Sequence, residues 1–233
     1  MYAFAWPILK ANAVILIAAA IALAVLEMML PGEMPLGGVL AGYGLVAYLA
    51  HRTAVLGPPP SGQAREVFEL SSKWPFLWRY FATVPFVAAV MLAVLFMASP
   101  LLALENETAR IFVLGVSVSV GLLLFALVLA QFGTVFPAAA TGGDKRLASA
   151  SRRGRLTFWR TMARFLIGPA LCTTLGLAIL SVAVDALPTY RGTFDLFVFL
   201  LSMAGWLLGL INTVLAAVVL SLAYLEAEAT PAE

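Results

Sequence analysis

The chain has 233 residues, of which 63% are hydrophobic and only 11% charged, with a net charge of +2 and a mean hydropathy of +1.00. Water-soluble domains carry about 25% charged residues, so this composition excludes a soluble globule and points to a single all-α integral membrane domain, residues 1–233. The lone cysteine, Cys172, excludes an internal disulfide, the lone histidine, His51, excludes two-histidine zinc motifs, and no metal or cofactor is expected.

The first apolar run covers about 8–30. Its leading residues, Met1 to Lys10, are only weakly basic, so it reads as a retained helix rather than a cleaved signal peptide. Pro31-Gly32-Glu33-Met34-Pro35 forms a turn after it. The second run, about 36–55, is near the lower limit of a span, since ~20 residues cross a ~30 Å hydrocarbon core. In it Gly38 and Gly42 share a helix face and are expected to admit a neighbouring helix. His51-Arg52 and then Gly57-Pro58-Pro59-Pro60 close it, and His51 reads as an interfacial polar residue.

A mixed stretch follows in the expected loop 56–80. Val67, Leu70, Trp74 and Leu77 recur at helical spacing, while Arg65, Glu66, Glu69 and Lys73 lie elsewhere around the turn. This predicts a short amphipathic helix in the membrane interface with Trp74 and Trp78 at headgroup level, interrupted at Pro75. The other reading is an ordinary polar loop. Further spans are expected at about 81–104, 111–136, 161–187 and 194–225, the fourth leading into a loop 137–160 and the last into a frayed acidic tail, 226–233. Gly205 and Gly209 in the last span form another pair of small residues four apart.

Charge sets the threading. Lys145, Arg146, Arg152, Arg153, Arg155, Arg160 and Arg164 crowd the central loop and the start of the fifth span. If six spans alternate, these seven, Lys10 and the four cations from Arg52 to Arg79 share one side, leaving only Arg110 and Arg191 on the other. Cationic loops stay cytoplasmic, so both termini are expected inside.

Two stretches look alike. Phe76-Leu77-Trp78-Arg79 opens the third span and Thr157-Phe158-Trp159-Arg160 opens the fifth, with prolines 20 and 22 residues before the tryptophans, at Pro58 and Pro137. The plan suggests three helical hairpins of one design, related by an axis along the membrane normal; convergence of Leu/Ala-rich helices is the alternative. Pro137, Gly142, Leu147, Ala150, Arg153-Gly154 and Phe158-Trp159-Arg160 also resemble a pattern in uncharacterised bacterial inner-membrane proteins. These include the membrane domain fused to some glycerophosphodiester phosphodiesterases. The resemblance covers 137–168 well and the hairpin plan loosely. It implies a bacterial inner-membrane address and a six-helix bundle, and carries over no phosphodiesterase chemistry.

No Gly-x-Ser-x-Gly, His-Glu-x-x-His or Walker lysine loop is present, so the chain reads as non-enzymatic. Two functional readings remain. In the first, an accessory or scaffold protein contacts membrane lipids, another membrane protein or a second copy through Arg152, Arg153, Arg155, Trp159, Arg160, Trp74, Trp78 and Arg79. Nucleic acid is not expected as a partner. In the second, Asn212, Thr213, Cys172, Thr173 and Thr174 line a polar strip for a small solute in a transporter or channel; these side chains serve equally as interhelical hydrogen bonds.

Overall fold

The computed structural model describes residues 1–29, 36–57, 70–102, 107–174, 176 and 196–230. Every element among them is helical. The helices are α1 (Tyr2–Met29), α2 (Leu36–Leu56), α3 (Leu70–Leu102), α4 (Glu107–Phe132), α5 (Val135–Thr141), α6 (Leu147–Phe165) and α7 (Leu196–Ala229), with a π-helical turn, Leu166–Ala170, extending α6. Among the described residues, four stretches are long and apolar enough to cross a membrane: Tyr2–Met29, Gly38–Leu56, Gly115–Phe132 and Leu196–Ala229. The expected turns at 31–35 and 188–195, the segment 63–69 and the later part of the fifth span lie outside the described residues.

α7 is the spine of the bundle. It packs against α1, α2 and α6, and its buried side chains enter two adjoining cores. One core gathers Ala5, Ile8, Leu16 and Val46 around Leu210, Val214 and Val218. The other sits at the basic end, where Tyr48, Phe76, Phe136 and Phe165 close around Val219 and Leu220. Phe76 lies edge-on to Tyr48 at 5.5 Å and to Phe136 at 5.9 Å, an arrangement aromatic quadrupoles favour.

Several expectations are corrected. α3 passes through Pro75 instead of stopping there. An interior proline costs about 3 kcal/mol, but the same turn buries Phe76 and Leu77 completely or nearly so, which offsets the lost hydrogen bond. Lys73 is 1% exposed rather than on an outer polar face, with its ammonium 5.9 Å from the Tyr48 ring centroid. His51 is also a core residue, not an interfacial one: its Nδ1 lies 2.9 Å from Ser221 Oγ and its ring stacks on Phe136.

The fourth span and the following loop are redrawn as well. α4 ends at Phe132, the chain turns at Gly133-Thr134, and α5 is a buried seven-residue helix. Gly142 ends α5 in the left-handed region at φ 79°, where a side chain is unfavourable, and Gly143 N–H then donates to Ala138 O at 2.8 Å. Most of 137–160 is therefore helix rather than loop. Asp144 starts α6 from three residues ahead of its first position, Leu147: one carboxylate oxygen accepts the Arg146 N–H at 3.1 Å and the other accepts the Ser149 hydroxyl at 2.5 Å. The first part of the expected acidic tail is helix, since α7 runs through Ala229; 231–233 lie outside the described residues.

Past α6, Pro169 removes a backbone donor and the helix widens into its π turn. The N-terminal residues cover this turn. Tyr2 Oη donates to Ile167 O at 2.5 Å, and Met1 lies against Gly168.

Candidate functional site

α6 carries the chemistry of the basic end because its two faces are unlike. Ala150, Arg153, Gly154, Thr157, Thr161 and Phe165 are buried, at spacings of three and four that fall on one side of a helix. Small and hydroxyl side chains let α6 lie close to α4. A Cβ on Gly154 would stand 2.0 Å from Gln131 O, so the two backbones touch there. Gln131 Nε2 spans the same contact, donating to Ser151 Oγ at 2.9 Å.

Arg153 is the centre of this face. It was expected as a lipid or partner contact, but it is 4% exposed and its donors are committed internally. Nη2 donates to Asp144 O at 2.8 Å, Nη1 to Glu228 Oε1 at 3.2 Å and Nε to Thr134 Oγ1 at 3.4 Å. Its guanidinium also lies 5.1 Å from the Tyr224 ring centroid. A buried guanidinium is tolerated only with such partners. Arg164 forms the second tie, with Nη2 donating to Glu226 Oε1 at 2.5 Å. The last two turns of α7 thus clamp both ends of the inward face of α6.

The opposite face of α6 is outward. Arg152, Arg155 and Arg160 are exposed, interleaved with Leu156 and with Trp159, which is 81% exposed. Lys145 and Arg146 are exposed beside them. Trp74 and Trp78 also face out, from the start of α3. Arg79 is half-buried and spends Nη1 on Pro75 O at 2.6 Å. The arginines of α6 therefore divide into a structural pair, Arg153 and Arg164, and an exposed set, Arg152, Arg155 and Arg160. Near the exposed set, Asp144 is held below the usual carboxylate range, first by the Ser149 hydroxyl and the Arg146 N–H, then by the charges of Arg146 and Arg153.

The proposed solute strip is partly brought together. Asn212 Nδ2 donates to Thr173 Oγ1 at 3.0 Å, bridging α7 to the residues after the π turn. Thr173 and Thr174 donate back to Pro169 O and Ala170 O, and Thr213 donates to Gly209 O. Asn212 Oδ1 is buried and has no hydrogen-bond partner among the described residues. Thr174 is exposed, and Cys172 is half-buried against the first core. The glycine pairs separate in the same way. Gly209 lies against Tyr43, whose hydroxyl would be 2.2 Å from an added Cβ, whereas Gly42 has nothing within 4 Å, Gly38 is exposed and Gly205 is half-buried. Gly42 is therefore not a close helix contact; Gly44, beside Leu77 and Tyr80, takes that place.

Sequence reasoning missed Glu226, Glu228, Tyr224, Thr134 and Ser221. One signal for the first two was present: two carboxylates directly after an apolar helix, in a chain whose cations cluster elsewhere. Among the described residues no group of three or more His, Cys, Asp or Glu is placed to hold a metal ion. Neither a scan against protein-family models nor searches of curated proteins and of solved structures return a match for this chain.

Proposed function

We propose that this is a non-enzymatic membrane protein whose basic end works as a contact surface for anionic lipid. The observation that carries the reading is the outward face of α6, where Arg152, Arg155 and Arg160 alternate with Leu156 and Trp159 while Arg153 and Arg164 are paired with Glu228 and Glu226. Arginines at headgroup level attract anionic lipid by about 1 kcal/mol each, and tryptophan favours the same depth. The wider reading is a bacterial inner-membrane protein of six spans in three hairpins, with both termini cytoplasmic. The charge bias between alternate loops supports it, as does the resemblance of 137–168 to the membrane domain of some glycerophosphodiester phosphodiesterases.

The test is extraction of the tagged protein into native nanodiscs, with mass spectrometry of what is retained. The expected result is enrichment of anionic phospholipid over the bulk membrane, lost in the Arg152→Gln/Arg155→Gln/Arg160→Gln variant. Retention of anionic lipid at the bulk ratio, with or without the arginines, would overturn it. A stoichiometric protein partner lost in the same variant would convert the surface into a subunit contact.

The second reading, a small-solute path, rests on the unpartnered Asn212 Oδ1. In that case Asn212→Leu abolishes flux. The internal hydrogen bonds of Thr173, Thr174 and Thr213 favour packing instead.

A further inference from the structure

A groove of about 650 Å³ opens between α3 and α4 at the basic end. Its deeper wall is apolar, with Phe86 from α3 and Phe125, Val128 and Leu129 from α4. Thr83 is also in the wall, but its hydroxyl donates to Tyr80 O at 2.6 Å and is consumed within α3. The mouth is different. Arg79 and Lys145 line the groove there, from separate elements, beside the exposed Trp78. Among the described residues neither cation has a carboxylate partner. Arg79 spends one N–H on Pro75 O, and a guanidinium has five.

Two cations at one end of an apolar trough match one kind of occupant. From Arg79 to Phe86 the groove follows seven residues of α3, about 10 Å of helix rise. That depth reaches from headgroup level into the hydrocarbon, and the volume falls in the ~300–1,000 Å³ range of small-molecule sites. A soluble anion would satisfy Arg79 and Lys145 but leave the phenylalanine-lined wall empty. A neutral lipid would fill the wall but leave the cations without a counter-charge. We infer that the α3–α4 groove is a binding site for one phospholipid with an anionic headgroup. The phosphate sits between Arg79 and Lys145, and the upper acyl chain lies against Phe86, Phe125 and Leu129. This deepens the lipid reading above and rests on it, but the groove and the outward face of α6 are different surfaces and can be tested apart.

The test uses the full-length protein in micelles, titrated with phosphatidylglycerol or phosphatidylcholine and read by native mass spectrometry. A phosphatidylglycerol with a photoreactive group in its upper acyl chain then locates the site by cross-linking. The wild type is expected to hold one phosphatidylglycerol in preference to phosphatidylcholine, with cross-links in 82–86 and 125–132. Arg79→Gln/Lys145→Gln is expected to weaken that first binding step by about tenfold or more. Val128→Trp, which fills the trough and leaves both cations, is expected to remove the cross-links. The Arg152→Gln/Arg155→Gln/Arg160→Gln variant should keep the cross-linked lipid while losing looser anionic lipid. Equal affinity for the two lipids, cross-links outside the groove, displacement by inorganic phosphate alone, or a second copy of the chain seated there would each overturn the proposal. Loss of groove binding only in the α6 variant would overturn it too, and would leave the α6 surface standing.

Discussion

Arg153 on α6 and Glu228 in the last turn of α7 meet at 3.2 Å across 75 residues of sequence, one side chain 5% exposed and the other 53%. The asymmetry decides what each contributes. Removing Arg153 opens a polar hole lined by Thr134, Asp144 O and Tyr224. Removing Glu228 takes away one of several partners, and that partner still reaches water. Arg153→Ala is expected to destabilise the protein by about 3 kcal/mol, through the cavity it leaves and the acceptors it strands, and Glu228→Gln, whose amide oxygen still accepts from the guanidinium, by about 1 kcal/mol. Thermal unfolding of the two variants in the same micelle checks this. Equal losses would mean that the ion pair, not the wider set of contacts, holds the guanidinium.

The contact between Gly154 and Gln131 leaves no room for a methyl group. Gly154→Ala is expected to cost about 1–3 kcal/mol, because two backbones must move apart. Gly42→Ala is expected to be neutral or slightly stabilising, since nothing lies within 4 Å and alanine favours helix. Paired melting curves distinguish the sites. A neutral Gly154→Ala would show that α6 does not dock on α4 in the membrane.

The buried His51–Ser221 pair ties α2 to α7 at 2.9 Å. Ser221→Ala leaves the imidazole nitrogen without its partner and is expected to cost about 1–3 kcal/mol. In a double-mutant cycle with His51→Phe, the coupling should be about 1 kcal/mol. No measurable coupling would place the two groups apart.

Acid should weaken the start of α6. The folded-state pKa of Asp144 is lowered from its ordinary 3.8, so its contribution to stability is present above 3.8 and is lost as pH falls through the folded value. Asp144→Asn is therefore expected to be less stable than wild type at neutral pH and to approach it at the acid end. The check is melting temperature against pH for both proteins. Parallel curves would sever the carboxylate from the helix start.

Much of the helical frame was legible because apolar length is a strong signal. The run 36–55 coincides almost residue for residue with α2. The basic segment was harder to read, and the reason is chemical. The buried face of α6 is made largely of Ala150, Gly154, Thr157 and Thr161, so the segment forms no apolar run; its amphipathic period is clear, but the arginines on the other face suggest a loop. Nothing local marks Arg153 as buried while Arg152 beside it is exposed. That difference depends on Thr134, Asp144 and Glu228, which only the fold brings together. His51 and Lys73 failed for a related reason. Both are polar residues near apparent helix ends, and their burial comes from aromatic neighbours on other helices.

The clamp on α6 also orders events during synthesis. Translation at ~5–20 residues per second separates Arg153 from Glu228 by about 4–15 seconds. Throughout that interval α6 lacks its carboxylate partners, and Arg153 and Arg164 stay open to water and to anionic headgroups. Arrival of Glu226 and Glu228 then withdraws Arg164 and Arg153 from that company. The inward face of α6 thus closes only after α7 has been made.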